Sequence, residues 1–170
     1  MAAFNDNLLP FDGEAFLEQH YIKERDADNY FRQLENEIEW EQKEIKLFGK
    51  LIPQPRLMAW HGDEGITYQY SHLKLIAKPW TPTLIQLRNI IEKNLGHKFN
   101  AVFLNYYRNG HDYMGWHRDN EKVLGLQPLI VSISLGAKRI FKFRHYHNKT
   151  LVRKFDLENG SLMIMQGDTQ

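Results

Sequence analysis

The sequence of 170 residues contains no cysteine. This absence excludes disulfides, thiol catalysis and metal sites built on thiolates. No apolar run approaches the roughly 18 residues of a membrane span, and the N-terminus MAAFNDNLLPFDGEAF has neither the basic start nor the apolar core of an export signal. We therefore expect a protein of the cytoplasm, or of the nucleus in a eukaryote, that does not enter the membrane.

Repeats, low-complexity tracts and flexible linkers are also absent from the sequence, and 42% hydrophobic with 25% charged residues is the composition of one globular domain. The net charge of +1 conceals an asymmetry. Residues 1–46 carry 12 acidic and 5 basic side chains, whereas residues 47–170 carry 9 and 17. The larger segment therefore has a net charge of +8, which is compatible with a polyanionic partner such as nucleic acid.

The apolar spacing predicts two helices followed by a series of strands. One amphipathic helix is expected over 27–42, and the cap residues Thr81, Pro82 and Gly96 predict a second. From Phe99 onward the pattern alternates, which predicts strands at 99–107, 131–135, 141–144, 151–155 and 161–165. The first 25 residues predict an irregular arm. The fold class is thus α+β: a sandwich or jelly roll over 26–170 with flanking N-terminal helices.

Metal-binding potential lies in two His-x-Asp pairs. Side chains two apart on a strand point the same way, and His-x-Asp with one further histidine forms the open site of non-haem iron(II) oxygenases. Chance alone supplies about 0.4 such pairs in this composition, so the spacing needs context. His61-Gly62-Asp63 lies among turn formers and predicts a surface turn, whereas His117-Arg118-Asp119 follows a strand-rich segment. His145-x-His147 is interpreted as an exposed turn.

The run NYYRNGHDYMGWHRDNE resembles the AlkB family of iron(II)- and 2-oxoglutarate-dependent dioxygenases that dealkylate nucleic acids. The likeness extends through LFGK, PRLMAWHGDEGITYQYS, KPWTP, FNAVFLNYYRNG, VSISLGAKRIFKFRH and GSLMIMQGDTQ, over about residues 45–170. It is strongest to the DNA-repair branch typified by the second and third human members. The resemblance implies a double-stranded β-helix, the jelly roll of this family.

The resemblance also implies roles for individual residues. His117 and Asp119 match two iron ligands, and Asn105 and Tyr107 match the side chains that hold 2-oxoglutarate. The residues that match substrate contacts are the finger Phe48 with Gly49 and Lys50, the base-pocket strand Tyr68, Gln69 and Tyr70, and the loop residues Asn120 and Glu121. An apolar finger fits this role because it fills the stack that a flipped base leaves. Without the resemblance, Phe48-Gly49 would simply be a hairpin tip.

The sequence departs from the family pattern at its C-terminus, because the family continues past the position of Gln170 with the distal histidine ligand, two arginines for 2-oxoglutarate and the last strands. We expect the chain as given to bind iron and cosubstrate poorly. If the coding sequence continues, the whole protein is expected to contain them.

The implied function is oxidative demethylation of bases such as 1-methyladenine and 3-methylcytosine in DNA, with Fe(II), 2-oxoglutarate and O₂. RNA is a second possible substrate, since the family also contains members that act on RNA or protein, and a monomer is expected. Two alternatives stay open. One is a non-catalytic nucleic-acid-binding fragment without the distal histidine. The other is a cupin-like jelly roll that binds a small ligand and in which His117 and Asp119 are incidental.

Overall fold

The computed structural model describes residues 6–47, 49–70, 73–120 and 124–170, with the backbone alone at 46–47, 68–70 and 73–75. Its helices are α1 (Glu24–Glu37) and α2 (Pro82–Leu95), followed near the C-terminus by a 3₁₀ turn at Gly167–Thr169. Its strands are β1 (Glu14–Glu18), β2 (Glu44–Leu47), β3 (Lys50–Pro53), β4 (Leu57–Gly62), β5 (Thr67–Tyr70), β6 (Leu73–Ile76), β7 (Ala101–Tyr106), β8 (Ile130–Ser134), β9 (Arg139–Arg144), β10 (Val152–Leu157) and β11 (Ser161–Gln166).

These elements form two compact units, residues 36–117 and residues 2–35 with 118–170. In the described residues of the first unit, β2 pairs with β3, β4 with β7 and β5 with β6. In those of the second, β1, β11 and β8 form a three-stranded sheet and β10 pairs with β9. Every pair is antiparallel. The expected α+β class is therefore confirmed, while the jelly-roll connectivity stays a prediction.

Strand β11 is the most buried element of the second unit. Ser161 through Met165 are all buried because β1 and β8 pair along its two edges. Its side chains Met163 and Met165 pack with Ala15 and Leu157 in one apolar cluster, and the rings of Phe141 and Phe143 pack against that cluster. The core is thus formed from segments more than 140 positions apart in the sequence.

The irregular arm expected over the first 25 residues is wrong at β1. Glu14–Glu18 pairs residue by residue with β11, and Ala15 is fully buried. The segment EAFLE is too short and too mixed to show a strand period, and its partner lies at the other end of the sequence. Long-range pairing, which local pattern does not report, determines this strand.

The two helices differ in how well the sequence defined them. Helix α2 begins after Thr81, whose hydroxyl accepts the Leu84 N–H at 3.4 Å, and ends at Gly96 with φ +67°, as predicted. Helix α1 was expected over 27–42 but ends at Glu37. The chain leaves the helix because the Glu41 N–H and C=O bond to Met58 of β4, at 3.0 and 2.8 Å. Tertiary pairing overrides helical periodicity there.

The strands expected from alternating residues are confirmed with small shifts of their ends. In β9 the burial alternates along the strand, with Phe141 and Phe143 turned inward and Lys142 and Arg144 exposed. The turn at Asn159-Gly160 needs its glycine, because a Cβ on residue 160 would lie 2.1 Å from the Ile22 carbonyl oxygen and φ is +78°.

Candidate iron and cosubstrate site

Asn105 lies on β7 opposite Met58 of β4, and its side chain contacts a buried arginine. The Arg56 Nε–H donates to Asn105 Oδ1 at 2.6 Å, and Arg56 is only 2% exposed. Tyr107 follows β7 directly, two positions after Asn105. The two residues matched to 2-oxoglutarate therefore lie close together in the chain, at the C-terminal end of one strand.

An ion pair closes the loop that follows Tyr107. Asp112 is 4% exposed, and its Oδ2 accepts the Arg108 N–H at 2.9 Å and Nε–H at 2.8 Å, while Oδ1 accepts the NH2 group at 3.0 Å. The hydrogen bonds from Asp112 raise the pKa of the Arg108 guanidinium. The next residue, Tyr113, donates its N–H to Pro55 O at 2.9 Å. The loop thus enters the His117 segment from a fixed position.

His117 has a defined ring orientation. Its Nδ1 lies 2.9 Å from the Gly115 carbonyl oxygen, and because a carbonyl oxygen only accepts, the neutral ring carries its proton on Nδ1. The lone pair then belongs to Nε2. Metal-binding histidines are commonly oriented in this way, by donating the other ring N–H to a carbonyl or carboxylate.

Asp119 belongs to the second unit, where a hydrogen bond anchors its backbone. The Asp119 N–H donates to Gln170 Oε1 at 2.9 Å, and the Gln170 amide contacts Met165 Sδ at 3.6 Å. Asn120 is exposed and lines an open cavity of about 540 Å³ with Leu126, Gln127, Asp168, Gln170, Gly125 and Pro128. A position for Asn120 beside a cavity is compatible with its predicted substrate contact, which stays a prediction.

The donor types of His117 and Asp119, imidazole nitrogen and carboxylate oxygen, suit Fe(II). Within the described ranges, no group of three His, Asp or Glu side chains could hold a metal. By donor type alone, His117 and Asp119 match two of the three protein ligands of a two-histidine, one-carboxylate site, and their role as ligands stays a prediction.

The structure also describes the two other candidate metal motifs, His145-x-His147 and His61-Gly62-Asp63. His145 Nδ1 accepts the Asn148 N–H at 2.9 Å, and Nε2 lies 2.9 Å from Asp12 Oδ2, so both ring nitrogens are engaged and the predicted turn is confirmed. The prediction of a surface turn is wrong for His61, which is 4% exposed on β4. The turn begins only at Asp63, because His61 and Gly62 are still paired with β7.

The finger and base-pocket residues are described in part. Phe48 lies outside the described residues, but its neighbours form the expected hairpin: Leu47 pairs with Lys50, and Gly49 has φ +81°. Lys50 is exposed, as are Leu51 and Ile52 after it. Tyr68, Gln69 and Tyr70 lie on β5 with only their backbone described, and Glu121 lies outside the described residues.

Comparison with known proteins places these residues in a family. The family model of the 2OG-Fe(II) oxygenase superfamily matches residues 14–170. The chain belongs to the 2OG-Fe(II) oxygenase superfamily. This superfamily takes its name from Fe(II) and 2-oxoglutarate, and its enzymes are dioxygenases. The match includes β1 as well as the segments quoted above from about residue 45 onward.

Curated relatives in this superfamily confirm the AlkB resemblance. The alpha-ketoglutarate-dependent dioxygenase alkB homolog 3 of Bos taurus is 38% identical over 159 residues, which is 88% of this chain and 55% of that protein. The human DNA oxidative demethylase ALKBH2 is 38% identical over 154 residues, 85% of this chain and 59% of that protein. The Arabidopsis thaliana ALKBH2 is 30% identical over 178 residues. The chain thus spans little more than half the length of these relatives.

Three features of the site were missed from the sequence: the Arg56–Asn105 hydrogen bond, the Arg108–Asp112 clamp and the Gln170 anchor. The clamp had a signal, since opposite charges four residues apart flank the turn formers Asn109-Gly110. No sequence signal marked Arg56, which simply follows a proline and precedes a strand. Its role depends on β4 pairing with β7, which lies about 45 residues later.

Proposed function

We propose that this chain is part of an iron(II)- and 2-oxoglutarate-dependent demethylase acting on N-methylated bases, such as 1-methyladenine and 3-methylcytosine, in DNA. The observation that carries the proposal is the His117 ring, whose Nδ1 is bonded to the Gly115 carbonyl. A proton held on Nδ1 puts the lone pair, the type of donor that a metal takes, on Nε2. The relatives of this chain include proteins named as DNA oxidative demethylases.

In this proposal His117 and Asp119 bind the iron, and Asn105 and Tyr107 bind 2-oxoglutarate. When bound, the iron with 2-oxoglutarate and O₂ supplies the oxidation that turns an N-methyl group into N-hydroxymethyl, while 2-oxoglutarate becomes succinate and CO₂. The hydroxymethyl product then releases formaldehyde and leaves the unmodified base. Phe48 enters the duplex, with Gly49 and Lys50 beside it on the hairpin. Tyr68, Gln69 and Tyr70 line the pocket of the extruded base, and Asn120 and Glu121 contact the substrate.

A basic surface of the second unit supports nucleic acid as the substrate. The Arg118 guanidinium lies 4.1 Å from the ring centroid of Tyr146, and the Lys149 ammonium lies 4.5 Å from the same ring. Arg118 and Lys149 are both exposed, as is Tyr146, so both cations remain accessible. Cations held on an aromatic face are suited to binding a phosphate backbone. In the sequence, Arg118 lies between His117 and Asp119, the two metal-ligand candidates.

Thermal unfolding with added ligands tests the proposal, because a ligand that binds only the folded chain raises the midpoint. The additions are Mn(II), Mn(II) with N-oxalylglycine, and both with an oligonucleotide containing one 1-methyladenine. Because the chain as given is expected to bind iron and cosubstrate weakly, each ligand is added in large excess. We then expect each addition to raise the midpoint further, and the methylated oligonucleotide to act more strongly than an unmethylated one. Stabilisation by DNA alone, without metal dependence, would instead favour the non-catalytic fragment. No response to any addition would contradict both.

Release of succinate and formaldehyde from the same oligonucleotide tests the chemistry. The chain should be compared with a version extended to the full coding sequence, if the frame continues. We expect the extended protein to demethylate the oligonucleotide when Fe(II) is present and to show no demethylation when Fe(II) is omitted.

A further inference from the structure

Arg56 is one of the few charged side chains that the described residues bury, at 2% exposure. A buried cation requires partners, because its desolvation otherwise costs several kcal/mol. One partner is the carboxamide oxygen of Asn105, at 2.6 Å from Arg56 Nε. Asn105 itself is exposed. The buried Arg56 therefore donates to the side chain of Asn105, which also reaches the surface of the first unit.

The backbone on the N-terminal side of Arg56 is held by several hydrogen bonds. The Gln54 N–H donates to Lys43 O at 2.8 Å, and Gln54 O accepts from Gln42 Nε2 at 2.8 Å. Pro55 O accepts the Tyr113 N–H at 2.9 Å. After Arg56 the chain enters β4, which pairs with β7. The backbone from which the Arg56 side chain starts is thus fixed independently of Asn105.

This contact determines which end of the Asn105 amide faces inward. A guanidinium has only donors, so it bonds to the carboxamide oxygen and repels the NH2 group. The oxygen therefore faces Arg56, and the NH2 group is left at the outer end of the side chain. An NH2 group donates to a carboxylate, whereas a carboxamide oxygen would repel one.

We propose that Arg56 is a positioning residue for the cosubstrate, holding Asn105 so that its carboxamide nitrogen donates to a carboxylate of 2-oxoglutarate. This inference rests on the proposed function, which makes Asn105 a cosubstrate contact. The competing explanation is that the Arg56–Asn105 bond only ties the start of β4 to β7. The two explanations predict different affinities for N-oxalylglycine in a variant that keeps the bond to Arg56 but lacks the NH2 group of residue 105.

Asn105→Asp makes that change. It keeps an acceptor for Arg56 and adds charge to the pair, so the thermal midpoint should be unchanged or higher. It also replaces the outward donor with a carboxylate oxygen, so affinity for N-oxalylglycine in the presence of Mn(II) should fall at least about tenfold by calorimetry. A purely structural tie predicts unchanged affinity for this variant.

Changes at Arg56 test the other end of the bond. Arg56→Met removes the donor and should weaken N-oxalylglycine binding, and Arg56→Lys should restore part of it. Arg88→Met is the matched control, because Arg88 in the same unit stacks on Trp80 at 4.4 Å and lies outside the site. If Arg56→Met does not fold, Arg56→Lys and Asn105→Asp still decide the question.

A spectroscopic measurement reads the amide directly. With diamagnetic Zn(II) in place of Mn(II), N-oxalylglycine should shift the side-chain NH2 resonances of Asn105 in a ¹⁵N-labelled chain, while those of the exposed Asn94 stay in place. Binding by the unaltered chain with no shift, and full binding by Asn105→Asp, would overturn the inference and remove Asn105 from the cosubstrate contacts, while the proposed demethylase activity would stand. The unaltered chain is expected to bind N-oxalylglycine weakly; if it shows no binding even with Zn(II) or Mn(II) and N-oxalylglycine in large excess, the proposed function fails and the inference fails with it.

Discussion

Two sets of arginine contacts in this chain differ in burial. In the first unit, Arg56 is buried and Arg108 bonds to the buried carboxylate of Asp112. In the second unit, Arg118 lies on the exposed ring of Tyr146 beside Lys149. The buried contacts have fixed donors and acceptors, so they can set the orientation of a neighbouring ligand. The exposed contacts leave their charge accessible, so they suit a partner that arrives from solution.

The largest effect is expected from His117, whose Nε2 is the proposed metal-binding nitrogen. His117→Ala removes this nitrogen, so Mn(II) binding measured by calorimetry should be lost. His111→Ala is the control, because His111 is an exposed histidine of the same loop and its loss should leave the affinity unchanged. Equal Mn(II) affinity in both variants would remove His117 from the metal site.

A smaller but clear effect is expected from the Arg108–Asp112 clamp. Asp112→Asn keeps the size of the side chain but loses its charge and one acceptor. Weakening a buried, charge-assisted set of bonds costs about 1–3 kcal/mol, so the urea midpoint should fall. Exposed ion pairs contribute less than about 1 kcal/mol.

Asp156→Asn is the exposed comparison for Asp112→Asn, since it removes the charge of a surface ion pair in which Lys138 and Asp156 are 57% and 50% exposed. If the two substitutions lower the urea midpoint equally, burial does not distinguish the clamp from a surface pair.

The same contrast explains what could be predicted from the sequence. Helix α2, strand β9 and the turn at Gly49 follow from local sequence signals: a capping threonine, apolar residues alternating with basic ones, and a glycine that can adopt the observed positive φ. The Arg108–Asp112 clamp also had a local signal, whereas the Arg56–Asn105 contact depends on the pairing of β4 with β7. Strand β1 was missed for the same reason, because its partner β11 is separated from it by most of the chain.

For the site, the resemblance supplied His117, Asp119, Asn105 and Tyr107, and residue type alone would not have separated His117 from His61. The structure does so physically. His61 is buried on β4 with its Nδ1 bonded to Pro79 O at 2.7 Å, whereas His117 is exposed on a loop. Burial of this kind depends on the packing of β4 against other elements, which the turn-rich sequence HGDEG does not indicate.

The exposed basic surface should affect the salt dependence of DNA binding. Lys149→Ala removes one cation near Tyr146, and each lost phosphate contact should reduce the slope of log affinity against log salt by about 0.9. Methylated and unmethylated duplexes should weaken alike, since a phosphate contact carries no base information. Lys93→Ala, at the C-terminal end of α2 in the other unit, is the control. An unchanged slope in Lys149→Ala would exclude this surface from the DNA contact.

The smallest effect is expected from the exposed carboxylate of Glu41, whose pKa is lowered from its ordinary 4.5 by hydrogen bonds from Lys43 and then from Lys78. A carboxyl with a lowered folded-state pKa contributes stability above its unfolded value, and the contribution is lost as the pH falls through the folded pKa. Glu41→Gln should therefore be less stable than the unaltered chain at pH 7 and equal to it well below pH 4.5. Urea unfolding at a series of pH values measures this difference, with the exposed turn variant Glu64→Gln as control. Because Glu41 is 45% exposed, added salt should shrink the difference at pH 7, whereas the effect of Asp112→Asn should persist in salt.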